Sequence, residues 1–274
     1  MWRFLRHTIT LKSVDQENCF EVKMIKPSDY FNELLEKAKQ DDNIIGFFAV
    51  GSRGKGYENE SSDYDLCLIV KNETLEEYKK KFGDKVPEVY LSVMSLAELS
   101  DYANWQSDFH WDRYDFAHVK ALVDKTGEVQ KIIDEKGSLP KERQEEFINA
   151  QIDAYMNGLF RSVKSYRKND RVGIRLESAA SIPHLLNMLF ALEGRIAPFP
   201  DYLSRELKSR PLKKLPWPSE KLLEALLRIL EDGDLKTQQE LAKTVEKVCR
   251  EEGYGKAFDG WEGKDKWAME YARD

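Results

Sequence analysis

The stretch from Ile44 to Val70, IIGFFAVGSRGKGYENESSDYDLCLIV, carries the strongest structural signal in this chain. Two apolar runs of strand length are separated by a Gly-Ser turn and a polar connector, which reads as strand, turn, strand. The first run ends at Gly51-Ser52, and the second opens on Asp63 and Asp65. Because side chains alternate between the faces of a strand, Asp63 and Asp65 share one face while Tyr64 and Leu66 take the other. Two carboxylates on one face, next to a glycine turn, predict a site for metal and phosphate.

The chemistry behind that expectation is simple. A nucleoside triphosphate carries several negative charges, and attack at one of its phosphorus atoms is helped by divalent cations that neutralise charge and align the reacting oxygens. Hard oxygen ligands such as aspartate hold Mg²⁺ well, and in two-metal sites the ions stand about 3.5–4 Å apart, a span that residues two positions apart on a strand can bridge. Residues after the first strand must let phosphates come close, which suits Gly51 for its missing Cβ and Ser52 for its hydroxyl and N–H. Arg53 and Lys55 add positive charge to the same turn. The plain alternative is a surface hairpin with solvated aspartates.

The ordered combination resembles the signature of the DNA polymerase beta-like nucleotidyltransferase superfamily. It comprises Phe47-Phe48-Ala49-Val50-Gly51-Ser52, ten residues from Arg53 to Ser62, and then Asp63-Tyr64-Asp65-Leu66. The wording GSRGKG followed by SSDYDL is similar to small bacterial members, among them antibiotic (aminoglycoside and lincosamide) nucleotidyltransferases and minimal nucleotidyltransferases. The resemblance implies transfer of a nucleoside monophosphate, AMP first, from Mg²⁺-bound ATP or another NTP to a hydroxyl of a small molecule, with release of pyrophosphate. It makes Asp63 and Asp65 metal ligands and sets Gly51, Ser52 and Arg53 against the phosphates. It also implies a third carboxylate on the next core strand. Glu88, which opens an alternating run over residues 86–93, is the candidate, although Pro87 beside it is unusual for a central strand. Asp84, Asp112 and Asp115 are its rivals. Two further readings stand beside this one: a protein or tRNA acceptor, as in toxin–antitoxin pairs, and a nucleotide-binding interaction module without turnover.

Composition narrows the choice. Among 274 residues, 49 acidic side chains outnumber 43 basic ones for a net charge of −6, which disfavours a protein that grips long nucleic acid through its backbone. Cys19, Cys67 and Cys249 are widely spaced and odd in number, so neither a disulfide framework nor a zinc site is expected, in keeping with a reducing cytoplasm. The N-terminus lacks the apolar core of a signal peptide, and no run approaches the ~20 apolar residues of a membrane span.

Along the chain, alternation at residues 8–11 and 20–24 predicts an N-terminal hairpin, and a helix follows with Ser28 as its N-cap. Helix is expected over 74–82 and strand over 86–93. The aromatic segment 105–118 reads either as the rim of an acceptor pocket or as a packed helix end. Strand 119–123, a turn at 124–127 and a short helix then close the first domain. A boundary near Gly137-Ser138-Leu139-Pro140 divides residues 1–138, a nucleotidyltransferase domain, from 139–274, a helical domain. The second domain shows helical spacing up to Arg167, then over 172–192 with Pro183 kinking or splitting the helix, then over 201–208, 219–230, 235–250 and 264–272. The expected class is α+β, a mixed β-sheet flanked by helices followed by a helical bundle. In relatives such a bundle supplies part of the acceptor site. Glu177 and Glu193 are the candidates for a base there, Glu177 the better because it lies early in an apolar helix; a solvated outer face explains it equally. A homodimer with a shared site occurs in relatives of this kind and is left open.

Overall fold

The computed structural model describes residues 25–83, 86–105 and 110–261. The predicted N-terminal hairpin, Asp84 and the helix expected over 264–272 lie outside the described residues. The chain divides into two compact units between Gly137 and Ser138.

The first unit runs α1 (Pro27–Gln40), β1 (Ile44–Ala49), α2 (Gly51–Lys55), β2 (Tyr64–Val70), α3 (Leu75–Lys81), β3 (Val89–Met94), α4 (Leu96–Asp101), a 3-10 turn (His110–Phe116), β4 (Val123–Asp124) and α5 (Glu128–Lys136). The four strands form one sheet in the order β3-β2-β1-β4. β1 is antiparallel to β2 and β4, while β2 is parallel to β3, which makes the sheet mixed, as expected.

Alternation along β2 sorts the core into two layers. Leu66, Leu68 and Val70 pack with Leu34 and Ala38 of α1 and Leu75 and Tyr78 of α3. Cys67 and Ile69 pack on the other face with Leu99 of α4, Phe116 of the 3-10 turn, and Val129 and Ile133 of α5. Each apolar stripe therefore faces its own set of helices. Asp65 precedes Cys67 by two positions, and so lies on the face that α4, α5 and the 3-10 turn cover.

Several local expectations need correction. Helix α1 starts at Pro27 with Lys26 in the cap position, so Ser28 falls inside the first turn and caps nothing; proline's fixed φ suits that first helical position. Strand β3 starts at Val89 rather than 86, because Glu88 takes a left-handed φ of 60° that breaks the extended run. Of the strand expected over 119–123, only Val123 pairs, with Phe47 of β1. The turn after it is as expected: the Asp124 carboxylate accepts from the N–H of Gly127 at 2.7 Å and of Gln130 at 2.9 Å.

The second unit is helical: α6 (Lys141–Arg167), α7 (Arg171–Ala191), α8 (Leu203–Ser209), α9 (Ser219–Asp232), α10 (Leu235–Glu251) and α11 (Gly255–Asp259). Helices α6 and α7 pack closely along each other, since a Cβ on Gly158 would lie 2.7 Å from the Ser181 Cβ. Asp170 caps α7 by accepting from the Gly173 N–H at 3.0 Å. α7 continues through Pro183 as one helix instead of splitting. Buried Ile182, Leu185 and Leu186 hold the turns around the missing hydrogen bond. The short α11 had no counterpart in the sequence reading. Among the described residues, no helix is long and apolar enough to cross a membrane.

Candidate active site

Gly51, Ser52, Arg53, Asp63 and Asp65 lie around the junction of β1, α2 and β2. The Val50 N–H donates to the Asp65 carbonyl at 2.9 Å, which ties the end of the first strand to the start of the second. Gly51 then turns the chain with a φ of 62°, and a Cβ built on it would stand 2.6 Å from Asp65 Oδ2. Any other residue here would meet both a strained backbone and the aspartate itself. Glycine is thus required both by the turn and by the closeness of the carboxylate. Gly54 is equally confined, since a Cβ would lie 2.2 Å from the Ala49 carbonyl oxygen, and this seats α2 against β1.

Arg53 is held by the backbone that leads into β2. Its Nε donates to the Asp63 carbonyl at 2.9 Å and its Nη2 to the Ser62 carbonyl at 2.7 Å, while the guanidinium lies 3.7 Å from the centre of the Tyr64 ring. The side chain braces the segment that carries the aspartates. Ser52 lies half-buried at the start of α2, and its carbonyl accepts from the Tyr57 N–H at 2.8 Å.

Asp63 is exposed and Asp65 half-buried. The Asp65 carboxyl is pushed up to about 6, first by burial and then by the negative charges of Asp63 and Asp115. Asp115 reaches this face from the 3-10 turn, where it is 6% exposed. Its charge also adds to burial in holding the protons of Cys67 and Tyr102 more tightly. The turn is fixed from several sides. Tyr102 donates its hydroxyl to Asp112 at 2.7 Å, and Arg113 donates to the Glu135 carbonyl at 2.6 Å. Lys55 Nζ donates to the carbonyl of Asp115 itself at 2.7 Å.

The third carboxylate in electrostatic reach of Asp65 is therefore Asp115, and Glu88 is not among the charges that act on it. Glu88 is exposed, and its carbonyl accepts from the Tyr64 N–H at 2.8 Å just before β3 begins. Asp115 was only a rival in the sequence. It lies 50 residues beyond Asp65 in a turn without strand or helix periodicity, and its one mark is a carboxylate set between Tyr114 and Phe116.

In the second unit, Glu177 sits half-buried on α7 with its Oε1 3.9 Å from Arg161 Nη1 on α6. Glu193 accepts from the N–H groups of Lys213 and Lys214 and from Arg195 Nη1 at 3.2 Å, which is a structural duty.

A divalent cation fits the donor set more than the present side-chain positions. Among the described residues no three His, Cys, Asp or Glu side chains are grouped to hold a metal as they stand. Yet Asp63, Asp65 and Asp115 offer hard oxygens that repel one another, and a cation relieves that repulsion.

Residues 31–146 match the family model for the nucleotidyltransferase domain. No curated protein matches the sequence. Among solved structures, a nucleotidyltransferase-like protein from Exiguobacterium sibiricum 255-15 is distantly similar, with a TM-score of 0.40 at 10% identity over 85% of this chain and 78% of that one. The matched segment contains all four strands of the sheet together with Gly51, Asp63, Asp65 and Asp115.

Proposed function

We propose that the protein transfers a nucleoside monophosphate, with AMP as the first candidate, from a Mg²⁺-bound triphosphate to a hydroxyl group of a small molecule, as in the antibiotic-modifying branch. The observation that carries this reading is the close approach of the Asp65 carboxylate to the Gly51 turn, where a Cβ would stand 2.6 Å from Asp65 Oδ2, within the segment that matches a nucleotidyltransferase domain. Asp63, Asp65 and Asp115 are the residues that would hold the metal, Asp115 taking the third place that the sequence offered to Glu88. When bound, the metal supplies charge neutralisation on the phosphates.

The chain's own residues do the positioning. Gly51 leaves room at the Asp65 carboxylate for a phosphate to approach, and the first N–H groups of α2 lack partners within the helix. Ser52 adds a hydroxyl at the same turn. Arg53 keeps Asp63 and Tyr64 in place through their backbone and ring. In the reaction the acceptor hydroxyl releases its proton to solvent, its oxygen forms a bond to the α-phosphorus, the bond from that phosphorus to the bridging oxygen of the β-phosphate breaks, and pyrophosphate leaves with the electron pair. Holding the partners in line lowers the barrier without a covalent enzyme intermediate.

The test is Mg²⁺-dependent pyrophosphate release from each of the four ribonucleoside triphosphates against a panel of hydroxylated acceptors. The wild type is expected to turn over at least one donor. Asp63→Asn and Asp65→Asn are expected to lose about a thousandfold or more in rate while melting cooperatively, as removal of a charge that acts in the transition state predicts. Undiminished turnover in either variant rules the reading out.

A further inference from the structure

We propose that Lys55 is a positioning residue for the metal site: it holds Asp115 against the Asp63–Asp65 face by hydrogen-bonding the Asp115 main chain. This rests on the reading of the three carboxylates as metal ligands.

Lys55 ends the glycine turn, yet its side chain turns inward and is only 7% exposed. A lysine is almost never buried to this degree without partners that offset the cost of leaving water. Here Nζ donates to the Asp115 carbonyl at 2.7 Å and stands 4.8 Å from the centre of the Tyr114 ring. Both contacts are to the 3-10 turn, 60 residues away in sequence. Asp115 is itself 6% exposed, so it cannot swing in from solvent to meet a cation. Where its carboxylate points depends on how its backbone is anchored, and Lys55 anchors it from the element that also carries Gly51.

The arrangement links two halves of one site. The turn at Gly51–Lys55 faces the proposed phosphates, and the 3-10 turn brings the third carboxylate. Lys55 is the side chain of the first that fixes the second. Support from beyond the ligands commonly decides how well metal ligands bind, and its loss costs about 10–100-fold in affinity.

The sign of the effect separates this role from simple electrostatics. Deleting a positive charge close to a cation site should tighten cation binding if charge alone mattered. Positioning predicts the opposite, a weaker site. Met is the informative replacement because it fills a buried, unbranched space without a donor, and Arg the conservative one because it can still donate to a carbonyl.

Mn²⁺ binding to the full chain without nucleotide, by calorimetry and by the shift in melting midpoint, would be measured for wild type, Lys55→Met, Lys55→Arg, Asp115→Asn and the Lys55→Met/Asp115→Asn double variant. Lys55→Met is expected to weaken Mn²⁺ about tenfold, Lys55→Arg to recover part of the loss, and the double variant to bind no worse than Asp115→Asn alone. Lys55→Met binding as tightly as wild type, or more tightly, overturns the proposal. So does an additive loss in the double variant, because Lys55 then acts apart from Asp115. If Lys55→Met fails to fold, Lys55→Arg carries the test through the same cycle with Asp115→Asn, and an additive pair again overturns it. A wild type that binds no Mn²⁺ rejects the three-carboxylate reading as well, which distinguishes the two failures.

Discussion

Each unit buries acidic charge, and the two treat it in opposite ways. In the helical unit, Glu206 is 1% exposed and is met by Arg195 at 2.6 Å and Arg210 at 3.7 Å. Arg195 also pairs with Glu193 at 3.2 Å and lies over the Phe190 ring at 4.7 Å. Every charge in that group faces an opposite one, which is how a fold retains buried ions for structure. In the sheet unit, Asp65 is half-buried and faces two further carboxylates, Asp63 and Asp115. Like charges gathered on one face raise one another's cost of ionisation. Such a cluster at the end of an ordered sheet is what the proposed cation site requires.

Breaking the turn at the sheet site should have the largest effect. Gly51→Ala places a Cβ within 2.6 Å of Asp65 Oδ2 at a φ of 62°. It is expected to lower transfer about a hundredfold or more through displacement of the aspartate, and to cost about 1–3 kcal/mol of stability from the strained backbone. Chemical denaturation and pyrophosphate release measured on one preparation check both halves.

The helical network should answer in stability alone. Glu206→Gln leaves Arg195 and Arg210 without their shared acidic partner. Removing one member of a buried pair commonly costs 3–5 kcal/mol; with Glu193 still beside Arg195, a loss of about 2 kcal/mol is expected. Urea denaturation measures it, and an unchanged midpoint would show that the network contributes nothing.

The sheet site predicts the reverse sign. The carboxyl of Asp65 titrates near 6 in the fold against an ordinary value of 3.8. A raised acid adds no penalty below about pH 4, where both states are protonated; stability falls as pH rises from about 4 to 6, because the fold resists ionisation there, and levels off above 6. Asp65→Asn removes that penalty. The metal-free variant should therefore be more stable than wild type at pH 8, by about 2 kcal/mol, with little difference at pH 4. Denaturation midpoints in EDTA at the two pH values decide this. A variant less stable than wild type at pH 8 would mean that the carboxylates do not repel.

The smallest effect belongs to Glu177. Its carboxylate is paired with Arg161 at 3.9 Å, and the proposed donor chemistry draws only on the first unit. Glu177→Gln is expected to leave transfer within about threefold, whereas loss of a general base typically costs 10²–10⁴. A large fall in kcat would bring the helical unit into proton transfer.

How much of this was visible beforehand depended on periodicity. Strands β1 and β2 and the long helices follow repeats of two or 3.6 residues and lie close to where those repeats predict, with Asp65 on β2 and Asp63 just before it. Asp115 escaped because the 3-10 turn that brings it has no such repeat and reaches the site only through tertiary contacts. The strand start was misplaced because alternation over 86–93 looked continuous, while the left-handed φ of Glu88 delays β3 to Val89. Arg53 and Lys55 read as a pool of positive charge near phosphates. Their hydrogen bonds to the carbonyls of Ser62, Asp63 and Asp115 are backbone contacts that no side-chain pattern records.

The most direct measurement is calorimetric titration of the full chain with each Mg²⁺–nucleoside triphosphate, beside a protein carrying both Asp63→Asn and Asp65→Asn. Wild type is expected to bind at least one triphosphate only when Mg²⁺ is present, and the double variant to lose that binding while keeping its fold. Equal binding by both proteins, or binding indifferent to Mg²⁺, would contradict the assignment of these carboxylates to a metal–triphosphate site.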